Sequence, residues 1–170
     1  MVAKADERLV EESIRWQIMT AIVTHSTPVW GTKSNFLIRV GVNDSGMTGA
    51  IEQLWARKID HSTFEVCCIP FFAYGLALGD TVACSADFTI QRRLFCGGHR
   101  TLRLAIADFE NQHRIHEGLH EWVFASGLLH EWYSQGYLAV DLPPSLQADL
   151  DTSKLDAMCR DNLIEIEFSD

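Results

Sequence analysis

The sequence contains no apolar run that could cross a membrane as a helix, which takes about 20 residues. Residues 1–10 carry mixed charges and no apolar segment, so we also expect no signal peptide. Positive charge is scarce, because 14 Lys and Arg stand against 23 Asp and Glu, for a net charge of -9. Nucleic-acid binding needs clustered positive charge, so we expect neither nucleic acid nor a membrane as partner.

A disulfide framework and a phosphate-binding glycine loop are also missing. The 5 Cys are odd in number and two are adjacent, a pattern unlike that of secreted proteins, so we expect reduced thiols and a cytoplasmic protein. Neither Gly-x-Gly-x-x-Gly nor a Walker pattern occurs. Cys96 and His99 have the spacing of half a zinc site, but no suitable second pair completes it.

The excess negative charge is confined to the last part of the chain. Residues 101–170 contain 4 Lys and Arg against 13 Asp and Glu, whereas residues 1–100 contain 10 of each sign. An excess of this kind either serves solvation alone or attracts a basic partner.

The first hundred residues predict one helix followed by short strands. Apolar residues recur at helical spacing over residues 5–23, and residues 24–35 contain Pro28 and Gly31, so residues 1–35 predict a helical extension with a connector. Alternating segments separated by turns predict strands over residues 36–42, 51–59, 64–69, 81–85 and 88–95. Residues 36–100 therefore predict a small β-barrel-like lobe, either a small barrel or a curled sheet.

The last seventy residues predict alternating strands and helices. We predict strands over residues 101–107, 129–135, 137–142 and 163–168, and helices over residues 108–125 and from Pro143 to about residue 162. The order β-α-β-β-α-β is typical of a ferredoxin-like lobe, so the class is α+β. The helices should cover one face of the sheet, and the other face should carry Arg103, Ala105, Glu165 and Glu167.

Several short motifs occur together from residue 50 onwards. They are Leu54-Trp55-Ala56, Pro70-Phe71-Phe72, Leu76-Ala77-Leu78-Gly79-Asp80, Gly98-His99-Arg100-Thr101-Leu102-Arg103 and Leu138-Ala139-Val140-Asp141-Leu142-Pro143-Pro144. In this combination the chain resembles an uncharacterised bacterial domain family of unknown function. The resemblance implies no catalytic residue, because the family has no established activity.

One motif points to a metal. His116-Glu117-Gly118-Leu119-His120 matches His-Glu-x-x-His on a predicted helix, where two imidazoles one turn apart can bind zinc and the glutamate can act as a base. The third ligand would be Glu121, His130 or Glu131. Gly118 weakens the helix at this point, and the alternative is a solvent-facing helix flank.

Three other features have both a structural and a functional interpretation. His99 and Arg100 either bind an anion or exchange protons, or they form part of the junction between the two lobes. Asp80 follows a glycine and is expected to bond nearby backbone amides. The aromatic segment from Pro70 to Leu78 is expected in the core, although it would also suit a contact surface.

Because no complete catalytic set is evident, we expect a binding protein rather than an enzyme, without a cofactor. Its most concrete form is an immunity or antitoxin-type inhibitor that covers a basic, nuclease-like toxin domain with an acidic surface. The expected contact residues are Glu117, Glu121, Glu131, Asp149, Asp151, Asp156, Glu165 and Glu167. The alternatives are a zinc hydrolase using His116, His120 and Glu117, or a regulatory module that binds a ligand or forms a homodimer.

Overall fold

The computed structural model describes residues 21–42, 49–148 and 150–168, which form two β-sheets and two helices. The first sheet contains β1 (Ile22–Val23), β2 (Phe36–Gly41), β3 (Ile51–Lys58), β4 (Thr63–Val66), β5 (Thr81–Cys84) and β6 (Ile90–Phe95). The second contains β7 (Arg100–Ile106), β8 (His130–Ser134), β9 (Tyr137–Leu142) and β10 (Ile164–Phe168). The helices are α1 (Gln112–Ala125) and α2 (Ser153–Arg160). The α+β class is confirmed at this level.

The predicted N-terminal helix lies outside the described residues up to residue 20. Its last two positions, Ile22 and Val23, form a strand instead, so the prediction is wrong there. Both side chains are β-branched and favour extended backbone. They pair in parallel with Ile51 and Glu52 of β3, which fixes the segment against the first sheet.

The first sheet does not close, so of the two predicted forms the barrel is wrong and an open sheet is present. Its strand order is β1-β3-β4-β5-β6, with β2 on the other side of β3. In the described chain β2 and β6 approach at one isolated bridge between Arg39 and Thr89. Two register shifts interrupt the pairing of β5 with β6. Such irregularities bend a strand and end regular pairing, which keeps a continuous ladder from forming.

The second sheet is antiparallel with the order β10-β7-β9-β8. One helix follows β7 and the other follows β9, so the element order is strand, helix, strand, strand, helix, strand. Both helices pack on one face, where Ile115 and Leu119 of α1 and Leu155 of α2 join Leu102, Leu104 and other strand residues in one core. The opposite face is left for contacts with the first sheet.

The second helix is much shorter than its prediction, since α2 begins at Ser153 rather than near Pro143. Residues 143–148 form turns, in which Leu146 donates to the carbonyl of Pro143. The Asp151 carboxylate accepts the backbone N–H of Ser153 at 3.0 Å. This bond satisfies one of the free donors at the start of a helix and favours a start at this residue.

A small third core joins the two sheets. It contains Val23, Ile69, Phe71 and Ala139, which come from β1, from the loop after β4 and from β9. Residues 69–74 of that loop (the clasp loop) lie between the sheets. The aromatic residues Phe71 and Phe72 are therefore buried or half-buried, as expected, whereas Tyr74 is 38% exposed.

Candidate functional site

A buried group of charged side chains lies where the two sheets meet. His25 is 4% exposed and donates from Nδ1 to Glu131 Oε2 at 2.6 Å and from Nε2 to Glu52 Oε1 at 2.9 Å. Glu52 belongs to β3 of the first sheet and Glu131 to β8 of the second. The imidazole therefore bridges two carboxylates of different sheets.

The backbone of the clasp loop supplies further donors to these carboxylates. Glu52 accepts the N–H groups of Phe71, Phe72 and Ala73 at 2.6, 2.9 and 2.7 Å. Glu131 accepts the N–H of Ile69 at 2.9 Å and that of Val29 at 3.1 Å. Hydrogen bonds from several N–H groups compensate a buried carboxylate for its lost contacts with water. We call His25, Glu52 and Glu131 the ion triad.

Arg103 donates hydrogen bonds to backbone carbonyls of the same loop. Its Nε donates to the carbonyl of Phe71 at 2.6 Å and its Nη2 to the carbonyl of Pro70 at 3.3 Å. The Tyr137 hydroxyl also donates to the Phe71 carbonyl, at 3.1 Å. With two cations and two anions, the ion triad and Arg103 together are close to neutral, which is the condition under which buried charges persist.

The electrostatics of the ion triad keep His25 charged. Burial alone would lower the pKa of His25, but the neighbouring Cys68, Glu131 and Glu52 outweigh it and raise the pKa to about 12. The ring also stacks on Phe71, with 4.2 Å between centroids and 5° between planes. At neutral pH His25 is therefore a fixed imidazolium, which suits it for joining the sheets and not for exchanging protons.

A cleft of about 360 Å³ opens beside this group, on the face of the second sheet that the helices leave uncovered. We call it the Arg103 cleft. Its lining consists of Phe72, Tyr74, Arg103, Ala105, Tyr137, Glu165, Ile166 and Glu167. The four residues predicted for the uncovered face all line it. The register places Ala105 between Glu165 of β10 and Tyr137 of β9, so a small side chain forms part of the wall between larger neighbours.

His99 forms a second histidine–carboxylate pair. Its Nδ1 donates to Asp141, with distances of 2.8 and 3.0 Å to the two carboxylate oxygens. Burial raises the pKa of the Asp141 carboxyl, and the bond from His99 offsets this only in part. The edge of His99 meets the ring of Trp30 at 5.9 Å. The pair links the turn before β7 to β9, and the Trp30 contact links it to the connector before β2.

Asp80 is buried and bonds backbone amides, as its position after a glycine predicts. It accepts the N–H of Ala77 at 3.0 Å and that of Gly97 at 2.9 Å. Arg93 Nη1 approaches the same carboxylate at 3.4 Å. The five cysteines carry free thiols, with Cys96 exposed and three others buried.

The predicted contact residues separate into groups. Glu117 and Glu121 on α1, and Asp151 and Asp156 at α2, are exposed on the helical side; we call these four the acidic helical face. Glu165 and Glu167 are exposed on the opposite side, in the Arg103 cleft. Asp149 lies outside the described residues.

The prediction that Glu131 lies on the surface is wrong. It is 3% exposed and bonded to His25, because β8 turns it towards the clasp loop.

The zinc motif lacks a complete set of ligands. Among the described residues, no three His, Cys, Asp or Glu side chains are placed to hold a metal ion. His116 Nδ1 donates to the carbonyl of Gln135 at 3.0 Å, and the ring packs on Trp132. His120 faces His130 at 6.0 Å between ring centroids. Glu131, a suggested third ligand, is held in the ion triad.

The ion triad was not predicted from the sequence, although one signal was available. Glu52 alternates with Leu54 and Ala56 along β3, and all three are buried. A carboxylate in register with core residues indicates a buried partner. No comparable signal marked His25, because its two partners are 27 and 106 residues away in the sequence.

Comparison with known proteins places the chain in a family. The family model described as "Domain of unknown function (DUF4265)" matches residues 52–165. The chain belongs to this family. The match confirms the resemblance to an uncharacterised domain family, and it includes Glu52, Arg103 and Glu131, whereas His25 lies outside it.

A solved structure described as "Novel crystal structure of a hypothetical protein from Neisseria gonorrhoeae" is similar in fold. The TM-score is 0.61 at 20% sequence identity, with 78% of this chain and 94% of that chain covered. A likeness at this identity concerns the fold alone. No curated protein matches the sequence. The described helices include none that is long and apolar enough to cross a membrane.

Proposed function

We propose that this chain is a binding protein without chemistry of its own, and that its acidic helical face receives a basic protein partner. The observation that supports this proposal is the grouping of exposed carboxylates on the helical layer. Lys154 of α2 donates to the carbonyl of Gly118 at 2.9 Å and lies 4.0 Å from Glu121. Trp122 of α1 donates to the carbonyl of Asp151 at 3.3 Å. Carboxylates of α1 and α2 are therefore neighbours on one surface.

Electrostatic attraction is the effect that such a surface supplies. Exposed carboxylates of one sign raise the rate at which an oppositely charged protein associates, by about 10- to 1,000-fold at low salt. Each of the four carboxylates also has a local partner. Asp151 and Asp156 accept bonds from Ser153 and Thr152. Glu117 lies 3.3 Å from His113, and Glu121 lies 4.0 Å from Lys154. The glutamates of α1 are one helical turn apart, so a partner can contact both at once.

The ion triad has a supporting part in this proposal. It holds the two sheets together with charges that are buried and mutually paired. The surface carboxylates of the helical layer take no part in that pairing. They remain available to a partner without loss of the contacts between the sheets.

Three finer assignments accompany the proposal. We propose that the second sheet with its two helices is a ferredoxin-like sandwich, on the support of its element order and strand order. We propose a cytoplasmic location, on the support of five free thiols. The most concrete partner is a basic, nuclease-like toxin domain, whose cationic active site an acidic surface would cover.

The test compares two double variants that remove the same charge from different faces. A tagged form of the chain is used to capture partners from its native host, and the basic protein among them is identified and purified. The Kd between this partner and each variant of the chain is then measured. E117Q/E121Q should weaken binding by about tenfold, because each exposed charge pair is worth up to about 1 kcal/mol and two are lost. E165Q/E167Q, on the opposite face, should change Kd by less than about twofold. Equal Kd values for wild type and E117Q/E121Q would refute the proposal.

A further inference from the structure

The Arg103 cleft contains a buried cation with one donor unused. Arg103 is 1% exposed; Nε and Nη2 bond the clasp loop, but Nη1 is buried and has no hydrogen-bond partner. Leaving a buried, charged donor without an acceptor is unfavourable, and native proteins rarely do so. An acceptor that binds in the cleft would remove this deficit.

The strand next to Arg103 contributes two carboxylates to the cleft. Glu165 and Glu167 are exposed there, and Glu167 pairs with Arg103 in the strand register without an ion pair between them. The Glu167 carboxylate instead accepts the hydroxyl of Tyr74 at 2.9 Å. The cleft thus has a guanidinium and, on the neighbouring strand, two acceptors for a cation.

The remaining lining is apolar or aromatic. Phe72 and Tyr137 lie 5.0 Å apart between ring centroids, with Ala105 and Ile166 beside them. A cavity of about 360 Å³ has room for a small molecule of amino-acid size. Apolar walls with a few charged groups close together are typical of sites for small polar ligands.

We propose that the Arg103 cleft binds a free α-amino acid with an apolar or aromatic side chain. Its carboxylate would accept Arg103 Nη1, its ammonium would donate to Glu165 and Glu167, and its side chain would pack on Phe72 and Tyr137. A zwitterion matches both signs of charge, whereas a simple anion would meet the two glutamates and a simple cation would leave Nη1 unpaired. The proposal is independent of the basic partner on the helical face.

Tyr74 is the side chain that has to move. Its ring centroid lies 4.8 Å from the guanidinium carbon of Arg103 and covers it. The ring is 38% exposed, and the next residue, Gly75, has φ of +76°. The ligand ammonium competes for Glu167, which releases the Tyr74 hydroxyl and opens the way to Nη1.

The test is calorimetric titration of the whole chain with the apolar and aromatic L-amino acids. We expect at least one to bind, and its decarboxylated amine and its N-acetyl derivative to bind at least about tenfold more weakly, since each lacks one charge. The absence of binding by every amino acid at about 10 mM, a concentration that saturates millimolar sites, would overturn the proposal. So would equal affinity for the amine.

Variants locate the site. A105L, which fills the cleft, should abolish binding, and E165Q at an exposed position should weaken it about tenfold. E110Q is the matched control, since Glu110 is exposed and does not line the cleft, and it should leave Kd unchanged. Y74F, which frees Glu167, should bind at least as tightly as wild type. Unchanged affinity in both A105L and E165Q would overturn the proposal, even if an amino acid binds elsewhere.

Discussion

His25 has a role that only its distant neighbours explain. In isolation it is a histidine in a polar connector, and the sequence predicted a linker there. In the folded chain it contacts carboxylates from two sheets and stacks on Phe71. Arg103 is a similar case, because its place on the uncovered face was predictable from alternation but its bonds to the clasp loop were not. Both depend on contacts between segments far apart in sequence.

Removing the charge of His25 should destabilise the protein. H25Q leaves two buried carboxylates without their shared cation, and breaking a buried ion pair costs about 3–5 kcal/mol. Urea unfolding at pH 7 measures this loss in the free energy of unfolding. H61Q is the matched control, because the His61 side chain is 95% exposed and should be replaceable without loss. A loss in H25Q no larger than that in H61Q would contradict the role of the ion triad.

The same residue should give the stability a characteristic pH dependence. The pKa of His25 rises from 6.5 to about 12 on folding, so its stabilisation is complete below pH 6.5 and is lost as the pH rises towards 12. In that window the folded state holds one extra proton, and the free energy of unfolding should fall by about 1.4 kcal/mol per pH unit. Unfolding curves between about pH 7 and 9 measure this slope. H25Q should lack this contribution; a wild-type slope in H25Q would contradict it.

At the level of elements, local patterns predicted most strands and the first helix. Burial alternates along β3, whereas β7 and β9 are buried almost throughout. The predicted positions of all three agree with the structure to within a residue or two. Three predictions failed where distant contacts or end effects decide. β1 pairs with β3 and does not extend a helix. The first sheet does not close. α2 begins ten residues after Pro143, where the Asp151 carboxylate accepts the N–H of Ser153 in its first turn.

Gly97 lies so close to the turn before β5 that a larger residue there should destabilise the protein. A Cβ at Gly97 would lie 2.7 Å from the carbonyl oxygen of Gly79, a backbone atom that cannot move aside freely. G97A should therefore lower the free energy of unfolding by about 1–3 kcal/mol. G118A within α1 is the matched control and should raise it by up to about 1 kcal/mol, because its Cβ meets no atom closer than 4.0 Å and alanine favours helix. Thermal unfolding distinguishes the two signs.

For the whole molecule, composition indicated where the charge lies in the chain but not how it is arranged in space. The sequence predicted one acidic surface from the last seventy residues. The fold divides those carboxylates between the helical side and the Arg103 cleft, and it buries Glu131 between the sheets. Strand alternation and helix packing set these directions, so a count of charges has no means of separating the groups.

The rate at which the captured basic partner associates tests the central claim most directly. Stopped-flow mixing at salt concentrations from about 0.05 to 0.5 M spans weak to strong screening. We predict that the wild-type rate constant falls at least about tenfold over this range. The variant E117Q/E121Q/D151N/D156N should associate slowly and with little salt dependence. Identical rate constants for the two proteins at every salt concentration would contradict the account.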